Sequence, residues 1–378
     1  MPLKPSSSFR KVLTLKPTDT LARFKDPALC GNLLDRIRAE LDGPLAFMEV
    51  CGTHTMAIFQ SGLHSLLPPE IRHLSGPGCP VCVTHEGEVA AFLEMAGKDD
   101  VIIATFGDLM RVPGPRGTSL KLAQAEGCRI EVVYSAFDAL ALAQKHPTAK
   151  IVFLGVGFET TAPTVAATVK IAAEQGLNNF FVFAMHKLVP PALSALLQDP
   201  DVKVDALLLP GHVSTIIGTE PYQFLATDHG VPSIITGFEP LDILQALLLI
   251  IEQRKTNQPT VVNQYSRAVA DAGNPQARKI MSEVFAVSDA LWRGLGTIPH
   301  SGLTFHGDYR RYDAREVLGV EVQDLPPLPG CRCGDVLKGK MKPSACPLFS
   351  KACTPASPVG PCMVSTEGSC AAYYKYAL

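Results

Sequence analysis

Six of the chain's eleven cysteines, Cys331, Cys333, Cys346, Cys353, Cys362 and Cys370, stand in its last stretch among many Gly and Pro residues. Thiols at that density bind metal or pair as disulfides. Zinc ligands usually come in pairs with about two to four residues between them. Here Cys331, Cys346, Cys353 and Cys370 are separated by 14, 6 and 16 residues. Wide, irregular spacing suits an iron–sulfur cube, on which four thiolates converge from loops. Cys333 and Cys362 are left over, a dithiol or disulfide beside such a cluster.

Three further groups of residues have side chains suited to redox or metal chemistry. Cys79 and Cys82 form a Cys-x-x-Cys behind the turn Gly76-Pro77-Gly78 and before a helix expected to start near Thr84. Backbone amides and the positive end of a helix dipole favour thiolate there, for thiol–disulfide exchange or metal ligation. Cys51 follows an apolar run, with His54 three residues on. The two are placed to share a transition metal, or His54 to activate Cys51 as a nucleophile. Glu159, His186, His212 and Glu239 end other apolar runs. The imidazoles suit a transition metal, and the carboxylates suit acid–base work or the orientation of ligands. Each has a plainer reading as a partner for loop backbone. Cys30 and Cys128 read as structural, and Lys338, Lys340 and Lys342 as solvated charges.

Positioning these residues falls to short β-rich runs alternating with helical patterns, the signature of parallel sheets covered by helices. Strands are expected at 45–50, 71–74, 101–106, 130–134, 151–156, 180–184, 206–209 and 233–236. They divide near Lys150 into two groups of four, each able to build a doubly wound α/β unit, and the pairing of similar units suggests duplication. Ile243 to Ile251 is too short to span a bilayer and reads as a buried helix. Residues 260–325 look more helical, with an amphipathic helix expected over Met281 to Arg293, and Pro326, Pro327 and Pro329 mark a boundary. The expected organisation is an N-terminal segment (1–43), α/β unit I (44–150), α/β unit II (151–259) and a helical connection with a Cys-rich iron–sulfur segment (260–378). In open α/β sheets the ligand crevice lies beyond the carboxyl ends of the strands, where the loops bearing Cys51, Cys79, Cys82, Glu159, His186 and His212 fall.

Net charge is −2 and no long Lys/Arg run occurs, so no electrostatic footprint for nucleic acid exists. Nothing at the N-terminus reads as a secretory signal, and no run spans a membrane, so a cytoplasmic location is expected. Reducing conditions there favour metal or redox use of clustered thiols over permanent staples. Gly155-Val156-Gly157 lacks the third glycine of a dinucleotide loop, since Thr160 occupies its place, and no Walker A pattern is present.

Several long motifs in order resemble the HypD family of hydrogenase maturation factors. They are Met48-Glu49-Val50-Cys51-Gly52-Thr53-His54, Gly76-Pro77-Gly78-Cys79-Pro80-Val81-Cys82-Val83-Thr84, Gly155-Val156-Gly157-Phe158-Glu159-Thr160-Thr161, Leu209-Pro210-Gly211-His212-Val213 and the terminal run through Cys346-Pro347-Leu348-Phe349, Cys353-Thr354-Pro355 and Cys362-Met363-Val364-Ser365. The resemblance implies a cytosolic scaffold on which the Fe(CN)2CO unit of [NiFe]-hydrogenase is assembled. It implies a complex with HypC, cyanide delivered by HypE, and the hydrogenase large subunit as an indirect partner. Carried onto this sequence, it makes Cys51 the iron ligand with His54 close by, and Cys79 with Cys82 the redox-active pair. It places a [4Fe-4S] cluster on the terminal cysteines, with Cys331, Cys346, Cys353 and Cys370 favoured as ligands and Cys333 with Cys362 as an extra thiol pair. Two other functions fit the residues: an iron–sulfur thiol–disulfide reductase acting on a protein partner, and a structural zinc protein.

Overall fold

Each of the eight runs expected to be extended forms a strand: β1 (Leu45–Glu49), β2 (Ile71–Ser75), β3 (Val101–Thr105), β4 (Ile130–Val132), β5 (Lys150–Gly157), β6 (Phe180–His186), β7 (Ala206–Pro210) and β8 (Ser233–Thr236). A ninth, β9 (Val261–Asn263), joins them. This computed structural model describes residues 23–377, so residues 1–22 of the expected N-terminal segment lie outside it. Strands β1, β3 and β7 are buried at every position, as strands covered by helices on both faces must be.

The strands form two parallel sheets, in the orders β2-β1-β7-β8-β9 and β4-β3-β5-β6. The fold class is therefore α/β with two parallel sheets, but the sheets do not divide at Lys150. The chain lays down β1 and β2 in the first sheet, crosses to build all of the second, and returns with β7. Continuous apolar runs show that a strand is buried on both faces, but not which strand lies beside it. Each sheet reverses its winding once, between β1 and β7 in the first and between β3 and β5 in the second. Such switch points open the crevice of a doubly wound fold. Cys51 follows β1, His212 follows β7 and Glu159 follows β5, so the topology sends all three toward switch points.

The helices that bear on the site are α1 (Pro27–Glu40), α2 (Gly52–Gln60), α3 (Pro80–Val83), α4 (Glu86–Ala96), α5 (Pro240–Thr256), α6 (Pro275–Val284) and α7 (Ser369–Tyr376). The Ile243–Ile251 run lies in α5 as expected, buried against the first sheet and α1. No helix among the described residues is long and apolar enough to cross a membrane. The helix expected to start near Thr84 instead starts at Glu86, capped by His85 in a capping box with Glu88. Thr84 is taken up by the preceding turn, its hydroxyl donating to the Pro80 carbonyl at 2.9 Å.

The expectation of helix over Met281 to Arg293 is corrected. Helix α6 ends at Val284, and an antiparallel hairpin follows, β10 (Phe285–Trp292) with β11 (Gly296–Phe305). Gly294 and Gly296 take positive φ in its turn. The hairpin ties the second sheet to the Cys-x-x-Cys region: Lys187 bridges to Gly302 at the end of β6, and Thr84 bridges to Trp292. Trp292 is fully buried, donates from Nε1 to Ser301 Oγ at 2.8 Å, and stacks on Phe158. A common core joins Met48 and Leu74 of the first sheet, Ile103 and Val152 of the second, and Cys79, Cys82, Cys333 and Cys362. Trp292→Ala should therefore lower global stability by about 3–5 kcal/mol, read as an earlier denaturant midpoint in far-UV circular dichroism. An unshifted midpoint would show that the hairpin does not hold the sheets together.

Candidate functional site

Cys51 and the Cys-x-x-Cys meet where β1 and β2 end side by side. The Gly76 N–H donates to the Glu49 carbonyl at 2.8 Å, and the Gly52 N–H to the Gly78 carbonyl at 2.9 Å. Gly78 lies so close to Cys51 that a Cβ there would overlap the Cys51 backbone nitrogen. Cys79, the N-cap of α3, is joined to Cys82 within it as a disulfide, Cα to Cα 5.2 Å. Both are buried, at 3% and 0% exposure. The Cys82 N–H donates to Cys79 Sγ at 3.2 Å, so the sulfur caps its own turn.

Cys51 is a buried free thiol whose pKa is pushed up to about 12, first by burial and then by the carboxylates of Glu367 and Glu49. It rests protonated until a cation draws the proton off, as metal binding to a thiol does. Glu49 is fully buried and anchors the loop: its Oε2 accepts the Cys51 N–H at 3.1 Å, and its Oε1 accepts the Thr55 hydroxyl at 2.5 Å. Glu367 reaches in from the terminal segment, accepting the Thr53 hydroxyl at 2.8 Å.

His54 is held by a partner of its own. Its Nε2 donates to the Gly237 carbonyl at 2.9 Å, and burial lowers its pKa to about 4. Phe238 is sandwiched between His54 and His212, with ring centroids 4.6 and 4.1 Å away, so loops after β1, β7 and β8 close on one another. Burial lowers the His212 pKa, with the Glu367 charge opposing it. Glu239, by contrast, serves as the cap of α5.

Glu159 is buried. Its Oε1 accepts the Val189 N–H at 2.9 Å, while Oε2 has no partner. Burial raises its pKa to about 7. Tyr222 is buried nearby, its phenol pushed well up by burial and further by the charges of Glu159 and Cys51. His186 stands apart: both ring nitrogens lack partners, burial lowers its pKa to about 3, and it lines a separate cavity with Lys187, Glu88 and Arg315.

In the terminal segment Cys333 and Cys362 form a disulfide, Cα to Cα 6.4 Å, and Cys331, Cys346, Cys353 and Cys370 are free. All six line one cavity. Among the described residues no three His, Cys, Asp or Glu side chains gather as one metal ion requires, so the thiols surround a space rather than a point. The chemistry around that space fits an iron–sulfur cluster. Four soft sulfur donors face it, and the Val359 N–H donates to Cys353 Sγ at 3.3 Å. Gly360 leaves room where a Cβ would strike Cys331 Sγ. Hydrogen bonds to cluster sulfurs and restricted solvent are levers on such a centre. Helix α3 packs against the turn Pro361–Met363, and Cys79, Cys82, Cys333 and Cys362 share one buried cluster.

Glu49, Glu367, Tyr222 and Arg293 belong to this arrangement and were not read from the sequence. Glu49 had a signal, as a carboxylate in an otherwise apolar strand two residues before Cys51. Arg293, buried, donates from Nε to the Thr84 carbonyl at 2.9 Å and pairs with Glu86.

Comparison with known proteins agrees with the motif resemblance. The profile of the HypD family, described as "Hydrogenase formation hypA family", matches residues 28–377. The chain belongs to the HypD family. Hydrogenase maturation factor HypD of Escherichia coli strain K12 is 48% identical over 361 residues, covering 93% of this chain and 96% of its own. HypD of Rhodobacter capsulatus is 45% identical over 367 residues, covering 94% and 97%. HypD2 of Bradyrhizobium diazoefficiens is 44% identical over 362 residues, covering 93% and 95%. The chain is thus a hydrogenase maturation factor of the HypD type, and its motif residues are those described above.

In this HypD-family fold Glu159 gives a pH signature. Its folded pKa of about 7 lies above the unfolded value near 4.5, so the folded state holds the proton more tightly between them. That contribution is fully present below the unfolded pKa and is lost as pH rises through about 7. Relative to Glu159→Gln, the wild type should lose about 2–3 kcal/mol of stability between pH 4.5 and pH 8. Denaturant titrations at both pH values check this, and a difference that does not change with pH would place the carboxyl in contact with water.

Proposed function

We propose that this chain is the scaffold and redox protein for assembly of the Fe(CN)2CO unit of [NiFe]-hydrogenases, working in a cytoplasmic complex with HypC and receiving cyanide from HypE. The observation that carries the reading is a run of cysteine-bearing elements packed one on the next. It passes from the four free terminal cysteines to the Cys333–Cys362 disulfide on the same cavity wall, across the α3 contact to the Cys79–Cys82 disulfide, and over Gly78 to Cys51.

Each part has a role in that reading. Cys51 is the iron ligand from this chain, its loop held by Glu49 and Thr53. The carboxylates of Glu49 and Glu367 give its surroundings a negative potential that favours a cation. The stacked rings of His54, Phe238 and His212 join the loops after β1, β7 and β8 on one side. Cys331, Cys346, Cys353 and Cys370 would hold a [4Fe-4S] cluster, which supplies electrons one at a time. Cys333–Cys362 and Cys79–Cys82 store them in pairs as dithiols. Cyanide transfer to iron calls for such a supply, and the hydrogenase large subunit is the eventual destination of the iron unit.

The alternative of a thiol–disulfide reductase acting on a protein partner meets a steric obstacle. A mixed disulfide requires direct attack at sulfur, and Cys79 and Cys82 are 3% and 0% exposed.

Infrared spectroscopy on anaerobically purified protein, co-expressed with HypC, tests the scaffold role in the region where metal-bound CN and CO stretch. Bands in the wild type that vanish in Cys51→Ala are expected. Bands of equal intensity in the variant would remove Cys51 from the iron site, and no bands in either would overturn the scaffold reading.

A further inference from the structure

Both disulfides of this chain are closed to incoming thiols. Cys79, Cys82, Cys333 and Cys362 are 3%, 0%, 4% and 1% exposed, which leaves no in-line approach for a protein thiolate. Electrons need no such contact. Cys331, Cys346 and Cys370 are half-buried, so the four-cysteine cavity is where this run of sulfur comes nearest to solvent.

A second cavity, of about 270 Å3, reaches two of the same sulfurs from outside. Its walls include Cys331, Cys333, Arg293, Arg332 and Lys338. Arg293 is buried, and its Nη2 has no partner. Glu86 offsets Arg293, and Asp335 offsets Arg332. Lys338 has no carboxylate in ion-pair reach among the described residues, and neither do the exposed Lys342 and Lys351 nearby in sequence. Lys340, in contrast, is held by Asp199 and Asp201. The charge of the segment points the same way. Residues 331–378 carry six Lys or Arg against two Asp or Glu, whereas the whole chain carries 34 against 36. The terminal segment, which holds the outermost sulfurs, thus carries a net positive charge in a chain whose net charge is −2.

We propose that the mouth of this second cavity, marked by Arg332 and Lys338, together with the exposed Lys342 and Lys351 of the same terminal segment, is the docking surface for an acidic one-electron carrier protein. The inference rests on the reading of Cys331, Cys346, Cys353 and Cys370 as a cluster site. Two reduced carriers each give up one electron. The Cys333–Cys362 S–S bond takes both and breaks into two thiolates, which take up two protons from water. A positive face raises the encounter rate of an acidic partner by roughly ten-fold to a thousand-fold at low salt, and screening removes that gain.

The experiment uses the full chain, purified anaerobically, with iron, sulfide and visible absorbance measured on every sample. Reduced ferredoxin, an acidic iron–sulfur carrier, is mixed with wild type or with the triple variant Lys338→Glu, Lys342→Glu, Lys351→Glu. Ferredoxin oxidation is followed by stopped flow, and thiols at Cys333 and Cys362 by alkylation and mass spectrometry. Binding of oxidised ferredoxin is measured by calorimetry. The expected result is a wild-type rate that falls about ten-fold or more as salt is raised, a variant rate as slow at low salt, and weakened ferredoxin binding by the variant. A reduced viologen, a small cation, should reduce the variant at least as fast as the wild type. Equal ferredoxin rates in variant and wild type, at equal iron and sulfide content, would overturn the docking surface. Faster opening of Cys333–Cys362 by reduced thioredoxin than by ferredoxin would also overturn it. Wild type lacking iron, sulfide and visible absorbance would overturn the cluster reading itself.

Discussion

Gly78 passes so close to the backbone of Cys51 that only a residue without a side chain fits, and the site depends on that approach. Two backbone hydrogen bonds, Gly76 to Glu49 and Gly52 to Gly78, continue the β1–β2 pairing past the last strand residues and into the loops. The register of two parallel strands therefore sets the position of the lone thiol relative to the Cys-x-x-Cys. A side chain at Gly78 would force the loops apart. It would also pull α3 away from the turn carrying Cys362, because α3 begins one residue after Cys79.

Burial explains both the chemistry and its isolation. Removing a thiol from water penalises its charged form, and the charges of Glu367 and Glu49 add to that at Cys51. The same packing that keeps Cys51 protonated keeps both disulfides away from outside thiols. On the proposed electron route it also makes transfer internal, since outside thiols cannot reach either disulfide by collision. The terminal segment is held to that path at several points: Glu367 on Thr53, the close approach of Gly334 to Gly294 in the hairpin turn, and Lys340 on Asp199.

Much of this was legible in the sequence, and what was not had physical reasons. Runs such as Val101 to Ala104 and Ala206 to Pro210 are apolar throughout because both sheet faces are covered, so the strands and their parallel pairing could be read. Sheet membership could not, because it depends on where the chain crosses over and not on any strand's composition. The hairpin was misread because Phe285 to Trp292 follows directly on a helix and alternates only loosely, exposing Val287 while burying Phe285 and Trp292. The cysteines and their loops carry their chemistry in residue type. Glu367 carries none until it meets Thr53, 314 residues away in sequence, and Arg293 acquires its role only when the hairpin turn reaches Thr84 and Glu86. His54 shows the opposite limit, since proximity to Cys51 in sequence did not decide where its ring points.

The central claim is that electrons reach the Cys51 region through the two buried disulfides in order. Timed anaerobic reduction with a one-electron donor, quenched by alkylation and mapped by mass spectrometry, tests it most directly. The account predicts that thiols at Cys333 and Cys362 are trapped before those at Cys79 and Cys82. It also predicts that a Cys333→Ser, Cys362→Ser double variant with its iron and sulfide intact keeps Cys79–Cys82 closed over the same interval. Opening of Cys79–Cys82 at the wild-type rate in that variant would contradict it.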